Sequence, residues 1–169
     1  MSMIKIASLT ALAFTALANA AHAGPSVYYP ISMCQGTDQH GRIAANDVRF
    51  RYGVAENYHD SENRYMVCPV PFDPAQTGKV IVRVVGYDNN NGTGGRLRAV
   101  LCEALLNTTI SCSNAKQTGD AYIGYSTLEV SYPTDSDTRF LYMSYEIPDV
   151  DSQSGRSYGF GYRVCRGSC

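Results

Sequence analysis

Lys79-Val80-Ile81-Val82-Arg83-Val84-Val85-Gly86-Tyr87 decides the fold. Side chains along a strand alternate between its two faces, so Val80, Val82 and Val84 share one face while Ile81, Arg83, Val85 and Tyr87 share the other. Both faces are mostly apolar, which marks a central strand covered on each side rather than one with a wet face. Outward from it the same period of two recurs. Residues 47–54 show it most cleanly: Val48, Phe50, Tyr52 and Val54 fall on one side and Arg49 and Arg51 on the other, the pattern of a half-buried strand. Residues 27–33, 65–70, 97–105, 126–132, 139–147 and 157–165 are similarly rich in Tyr, Val, Phe or Ile. Turn chemistry separates them at Asp73-Pro74, 89–95, Thr118-Gly119-Asp120, 133–137 and 148–155.

Leu101, Ala104 and Leu105 also fit one helical face, but the segment runs straight into a cysteine-bounded turn and is read as strand. About eight strands without a convincing amphipathic helix predict an all-β fold, an antiparallel β-sandwich that is jelly-roll-like and disulfide-stapled. No repeat, charge run or low-complexity tract divides the chain, which predicts a single domain over 24–169.

The N-terminus is set apart from that domain. Lys5 provides a positive start, residues 6–17 an apolar stretch, and Ala21-His22-Ala23 the small-x-small pattern of a cleavage site. Residues 1–23 are thus expected to be a cleaved signal peptide. The apolar stretch is short for a bilayer, and no cysteine follows the cut to carry a lipid. The mature protein is expected to be secreted or periplasmic, with no membrane insertion after cleavage. Removing the segment takes away Lys5 and no acidic residue, moving the formal charge from -1 to -2. That balance excludes a nucleic-acid partner, which needs a clear excess of Lys and Arg.

Export changes how six cysteines are read, because an even set in an oxidising compartment is most simply a disulfide framework. No Cys-x-x-Cys occurs, and His40 and His59 have no ligand-spaced cysteine beside them, which argues against zinc. Cys102 and Cys112 flank Asn107-Thr108-Thr109 and suit a hairpin staple; Cys165 and Cys169 close a small loop through Arg166-Gly167-Ser168. That leaves Cys34 with Cys68. The alternative at the terminus is a frayed tail with free thiols, since so small a ring is easily strained.

Cys34-Gln35-Gly36, Met66-Val67-Cys68-Pro69-Val70-Pro71, the Val-rich strand ending Tyr87-Asp88-Asn89, and Tyr158-Gly159-Phe160-Gly161-Tyr162-Arg163-Val164 together resemble an uncharacterised set of small secreted bacterial proteins. Cys-Pro-Val-Pro is the most specific element of that likeness. The resemblance implies a secreted β-rich domain in which Cys34 and Cys68 belong together, and it implies no activity.

Candidate sites are few. Asp88 and Asn90 open an oxygen-rich stretch that could hold calcium outside the cell, although Gly92, Thr93 and Arg96 break the EF-hand pattern and a flexible loop explains the composition as well. No other cofactor is indicated. His40 with Asp38, or His59 with Asp60, lacks any nucleophile elbow, and Glu103, Glu129 and Glu146 have no spacing that sets up glycoside hydrolysis. No catalytic residue is assigned. Thirteen tyrosines against no tryptophan are the remaining anomaly. They either fill a sandwich or form a ligand platform that stacks on sugar rings or a partner surface. Tyr28, Tyr29, Tyr142 and Tyr145 are the visible clusters; the odd spacing of the last two puts them on opposite faces. The expectation is a non-catalytic binding domain for an extracellular glycan or a surface protein. A structural or interaction component of the envelope is the alternative, and a secreted hydrolase ranks below both.

Overall fold

A computed structural model describes residues 26–38, 48–57, 62–73, 77–89, 95–104, 109–120, 122–135, 138, 140–149 and 155–169. The signal segment, His40, His59, Asp60 and Asn90 lie outside the described residues. The strands in chain order are β1 (Val27–Pro30), β2 (Gln35–Thr37), β3 (Arg49–Arg51), β4 (Val54–Glu56), β5 (Arg64–Val70) and β6 (Gly78–Asn89), then β7 (Arg98–Ala104), β8 (Ile110–Cys112), β9 (Lys116–Gln117), β10 (Ile123–Thr134), β11 (Phe140–Ile147) and β12 (Tyr158–Arg166). They form two antiparallel sheets. The first runs β10-β6-β12-β4-β3 with β1 also on β12; the second runs β2-β5-β11-β7-β8 with β9 also on β7. The long strands β5, β6, β7, β10, β11 and β12 alternate between the sheets, so the chain crosses from layer to layer in the jelly-roll-like manner expected. The excess over eight strands consists of pieces of two to four residues at sheet margins, too short to impose a sequence period.

Residues 47–54 are not one strand. Tyr52 and Gly53 take φ of 51° and 80° and reverse the chain, making β3 and β4 a two-residue hairpin. Positive φ at both central positions is the type I′ arrangement that matches strand twist, and glycine adopts it without strain. The reversal puts Arg51 and Val54 on the same face, so the run Val48, Phe50, Tyr52, Val54 alternates in the sequence without sharing one face in space, which is why the stretch imitates a continuous strand. Pro133, expected in a turn, lies inside β10, whose edge position spares the missing N–H.

Alternation builds the core. Val80, Val82 and Val84 of β6, Leu128 and Val130 of β10, and Tyr162 and Val164 of β12 face Met66, Cys68 and Val70 of β5, Leu101 of β7, and Leu141, Met143, Tyr145 and Ile147 of β11. Each such side chain removed from water contributes about 1.5–3 kcal/mol before the entropy of ordering is charged against it. The Tyr162 hydroxyl crosses the layers and donates to the Pro69 carbonyl at 2.6 Å. The Asn57 amide, fully buried, donates to the carbonyls of Ile147 and Pro148 at 3.2 and 2.9 Å, satisfying groups that burial would otherwise penalise.

The three disulfides join Cys34 to Cys68, Cys102 to Cys112 and Cys165 to Cys169, with Cα separations of 4.1, 4.0 and 5.3 Å. The first ties the start of β2 to β5, the second bridges facing residues of β7 and β8, and the third closes the loop after β12. The pairings are those expected from spacing, and the terminal thiols are not free.

Candidate functional site

An extra residue in β12 creates the site. Gly159 pairs with Gly86 and Gly161 with Val85, leaving Phe160 unmatched in a β-bulge. Because the bulge resets the alternation, Tyr158 and Phe160 stand on the outer face of the first sheet while Tyr162 and Val164 turn into the core. Tyr158 lies opposite Tyr87 of β6, and Tyr87 opposite Tyr125 of β10, which brings aromatic side chains from three adjacent strands together. Their ring centroids close a circuit: Tyr87 to Tyr125 at 4.9 Å, Tyr125 to Phe160 at 5.7 Å, Phe160 to Tyr158 at 6.4 Å, and Tyr158 to Tyr87 at 6.4 Å. Such distances fall within the range of mutually attractive aromatic pairs. With Val54 from β4 the four rings line an open hollow of about 280 Å³. Tyr125 is 70% exposed, and the other three rings are half-buried.

Two glycines and a buried tyrosine support the hollow from behind. On the inner face, the partnered Gly86 and Gly159 leave a notch beneath Tyr87 and Tyr158, and Tyr145 of β11 fills it from the second sheet. The Tyr122 hydroxyl donates to the Tyr125 carbonyl at 2.6 Å, pinning the backbone under the most exposed ring. Beside Tyr158 the buried Glu56 carboxylate accepts from Arg156.

The residues singled out from sequence are scattered. Tyr28 is 68% exposed on β1, whereas Tyr29 turns inward and stacks on Tyr162 at 5.3 Å. Tyr142, half-buried on the outside of the second sheet, stacks on Phe140 at 6.2 Å. Tyr145 lies on the opposite face, as its spacing requires, but is fully buried and therefore cannot touch a ligand. Burial, with the Asp88 carboxylate second, holds its phenol well above the ordinary range. Asp88 also points inward, because β6 places even-numbered residues toward the core; its carboxylate accepts from the Thr118 hydroxyl and the Leu97 N–H. Among the described residues no group of three His, Cys, Asp or Glu side chains is placed to hold a metal ion.

The glutamates have structural partners. Glu103 accepts from the Tyr132 hydroxyl at 3.0 Å, and Glu129 pairs with Arg83 at 2.6 Å. Glu146 accepts from Asn63 at 2.7 Å and faces Arg98 at 3.7 Å. Burial raises the Glu146 pKa despite those donors. An acid with a raised folded-state pKa favours the fold when protonated, and that contribution is lost as pH rises from the ordinary carboxylate value through the raised one. Glu146→Gln should escape this loss. Its melting temperature relative to the parent is therefore expected to climb by a few degrees between about pH 4 and about pH 7, measured by thermal melts across that range.

Tyr87, Tyr125, Tyr158 and Phe160 escape a search for tyrosine clusters because three distant strands supply them. Their common signal is a neighbouring glycine, in Gly86-Tyr87, Gly124-Tyr125 and Tyr158-Gly159-Phe160-Gly161.

Fold and site together define a disulfide-stapled, jelly-roll-like β-sandwich with an aromatic hollow on the outside of one sheet. No family model and no curated protein matches the sequence. Among solved structures, a xylan-binding domain from carbohydrate-binding module family 22 superposes with a TM-score of 0.51 at 13% identity, covering 88% of this chain and 98% of that one. The xylan-binding module CBM15 gives 0.45 at 9% identity, covering 86% and 98%. The CBM22-1 and GH10 modules of Clostridium thermocellum xylanase 10B, complexed with xylohexaose, give 0.49 at 9% identity over 83% of this chain; the present chain spans 28% of that longer one. The family 22 domain supports the sandwich architecture. Among the described residues no helix is long and apolar enough to cross a membrane.

Proposed function

We propose that this protein is a secreted or periplasmic, non-catalytic domain that binds an extracellular glycan on the outer face of its first sheet. The closed circuit of Tyr87, Tyr125, Phe160 and Tyr158 around an open hollow carries the reading, since sugar rings stack on aromatic faces through their apolar C–H surfaces. The likeness of fold to a xylan-binding domain supports a glycan as the ligand, and the N-terminal pattern and three disulfides support export. The reading needs no cofactor, and it makes Asp88 a structural acceptor.

An envelope interaction protein is the second reading, favoured by one observation: β10 is twelve residues long and sits at the edge of its sheet. Pro133 near one end and Gly124 near the other make that edge a poorer template for strand addition than its length suggests.

Tyr125→Ala and Phe160→Ala are each expected to weaken glycan binding by roughly 1–3 kcal/mol while leaving the melting temperature almost unchanged. A glycan array followed by titration calorimetry would measure this. Full affinity in both variants would remove the hollow from consideration. Reproducible hydrolytic turnover, abolished by changing one acidic residue, would replace the non-catalytic reading with an enzyme.

A further inference from the structure

The face that bears the aromatic hollow also gathers arginines. Residues opposite one another in neighbouring strands share a face, so the register places Arg49, Glu56, Tyr158, Tyr87 and Tyr125 in one row across five strands, roughly 19 Å from end to end. Arg51 faces Val54, which lines the hollow. Its guanidinium lies 5.0 Å from the ring centre of Tyr52 at the hairpin tip. On the other flank, four residues and about 13 Å along β6, Arg83 and Arg163 stand side by side with Tyr28 next to them.

The carboxylates on this face are already engaged: Glu56 is buried against Arg156, and Glu129 is held by Arg83. Arg49 and Arg51 are exposed, and among the described residues neither they nor Arg163 has a carboxylate partner; Arg163 reaches only the Ser26 hydroxyl. The whole chain nevertheless has a formal charge of -1. Arg49, Arg51 and Arg163 therefore put positive charge without a carboxylate partner beside the aromatic hollow, where it attracts an anionic ligand.

We propose that the glycan bound here is an acidic one, a polysaccharide whose sugar rings rest on the aromatic circuit while their carboxylates meet Arg49 and Arg51 on one flank and Arg163 on the other. This assignment rests on the glycan-binding reading above and adds the charge of the ligand. A guanidinium suits that task because it stays charged and offers a planar fork to a carboxylate.

Affinity electrophoresis of the exported protein tests it, in gels containing glucuronoxylan or polygalacturonate, each in native form and after chemical reduction of its carboxyl groups. Native polymer is expected to bind about five- to tenfold more tightly than its reduced counterpart at low salt, and most of that advantage should vanish at high salt. The double variant Arg49→Gln, Arg51→Gln should bind native polymer several-fold more weakly than the parent, toward the level of the reduced polymer, and Arg163→Gln should move in the same direction. Tyr125→Ala should weaken binding of both forms, by about fivefold or more. Equal binding of native and reduced polymers would overturn the acidic assignment while leaving the glycan reading standing. Absence of binding to every polymer would overturn both. Binding of native polymer that is undiminished by Tyr125→Ala would show a charge effect unconnected with the hollow, and would also defeat the proposal.

Discussion

Gly86→Ala is expected to cost roughly 3 kcal/mol or more and to bring the chain near the limit at which it folds at all. A Cβ at position 86 would overlap the Tyr145 hydroxyl, lie 2.8 Å from Leu97 Cδ1 and lie 2.9 Å from the Tyr158 carbonyl oxygen. The first two neighbours are core side chains with little room to retreat, and the third is backbone of the adjoining strand. Relief would need β6 and β12 to separate where they present Tyr87 and Tyr158, so glycan binding should fall together with stability. Urea melts with the disulfides intact would measure the cost. Tyr145→Phe provides the control, because the hydroxyl it removes is buried without a hydrogen-bond partner. Alone it should be neutral or stabilising by about 1 kcal/mol. Combined with Gly86→Ala it should restore part of the loss and no more, since the contact with the Tyr158 carbonyl remains. Parent-like melting of Gly86→Ala would mean that Tyr145 does not fill the notch.

Removing the Cys34–Cys68 bridge by alanine at both positions should cost about 4 kcal/mol, against about 3 for Cys102–Cys112 and about 2 for Cys165–Cys169. The order follows from the sequence separations of 34, 10 and 4 residues, because a longer closed loop removes more entropy from the unfolded chain. Burial reinforces the first place over the second, since Cys68 is fully enclosed and its loss also leaves a space in the core, whereas Cys112 is exposed; at the terminus Cys165 is fully enclosed too, so there the order rests on loop length alone. Alanine is preferable to serine here, as a buried hydroxyl would add a penalty of its own. Denaturant midpoints of the three double variants would establish the ranking. A terminal bridge that mattered most would mean that strain or residual structure, rather than loop length, governs these staples.

Period-two alternation in 79–87 and in the other long strands made the sandwich legible, since burying one face of a sheet leaves a direct imprint on composition. Local cysteine spacing did the same for the staples. The hairpin at Tyr52-Gly53 was hidden because the turn residues continue the apolar–charged pattern in the sequence while the register shifts it by one in space, and only Gly53 hinted at it. The aromatic circuit was hidden for a different reason. Tyr87, Tyr125 and Tyr158 become neighbours only through strand register, and a linear search favours pairs such as Tyr28 and Tyr29 or Tyr142 and Tyr145 that are close along the chain. Tyr145 was misjudged because a tyrosine whose hydroxyl finds no partner is an uncommon core residue, and nothing in its immediate sequence announces the glycine notch that receives it.

β12 occupies the middle of the first sheet, yet it comes from residues 158–166. When β6 has been synthesised, its central partner is still some seventy residues away, so the first sheet has no early nucleus on that side and its closure waits for the last strand to emerge. Assembly must therefore run through contacts remote in sequence, which is slow compared with folding built from local ones. Under the export proposed above, that delay would keep the chain extended and open to transport, so the strand order that completes the first sheet also postpones its completion.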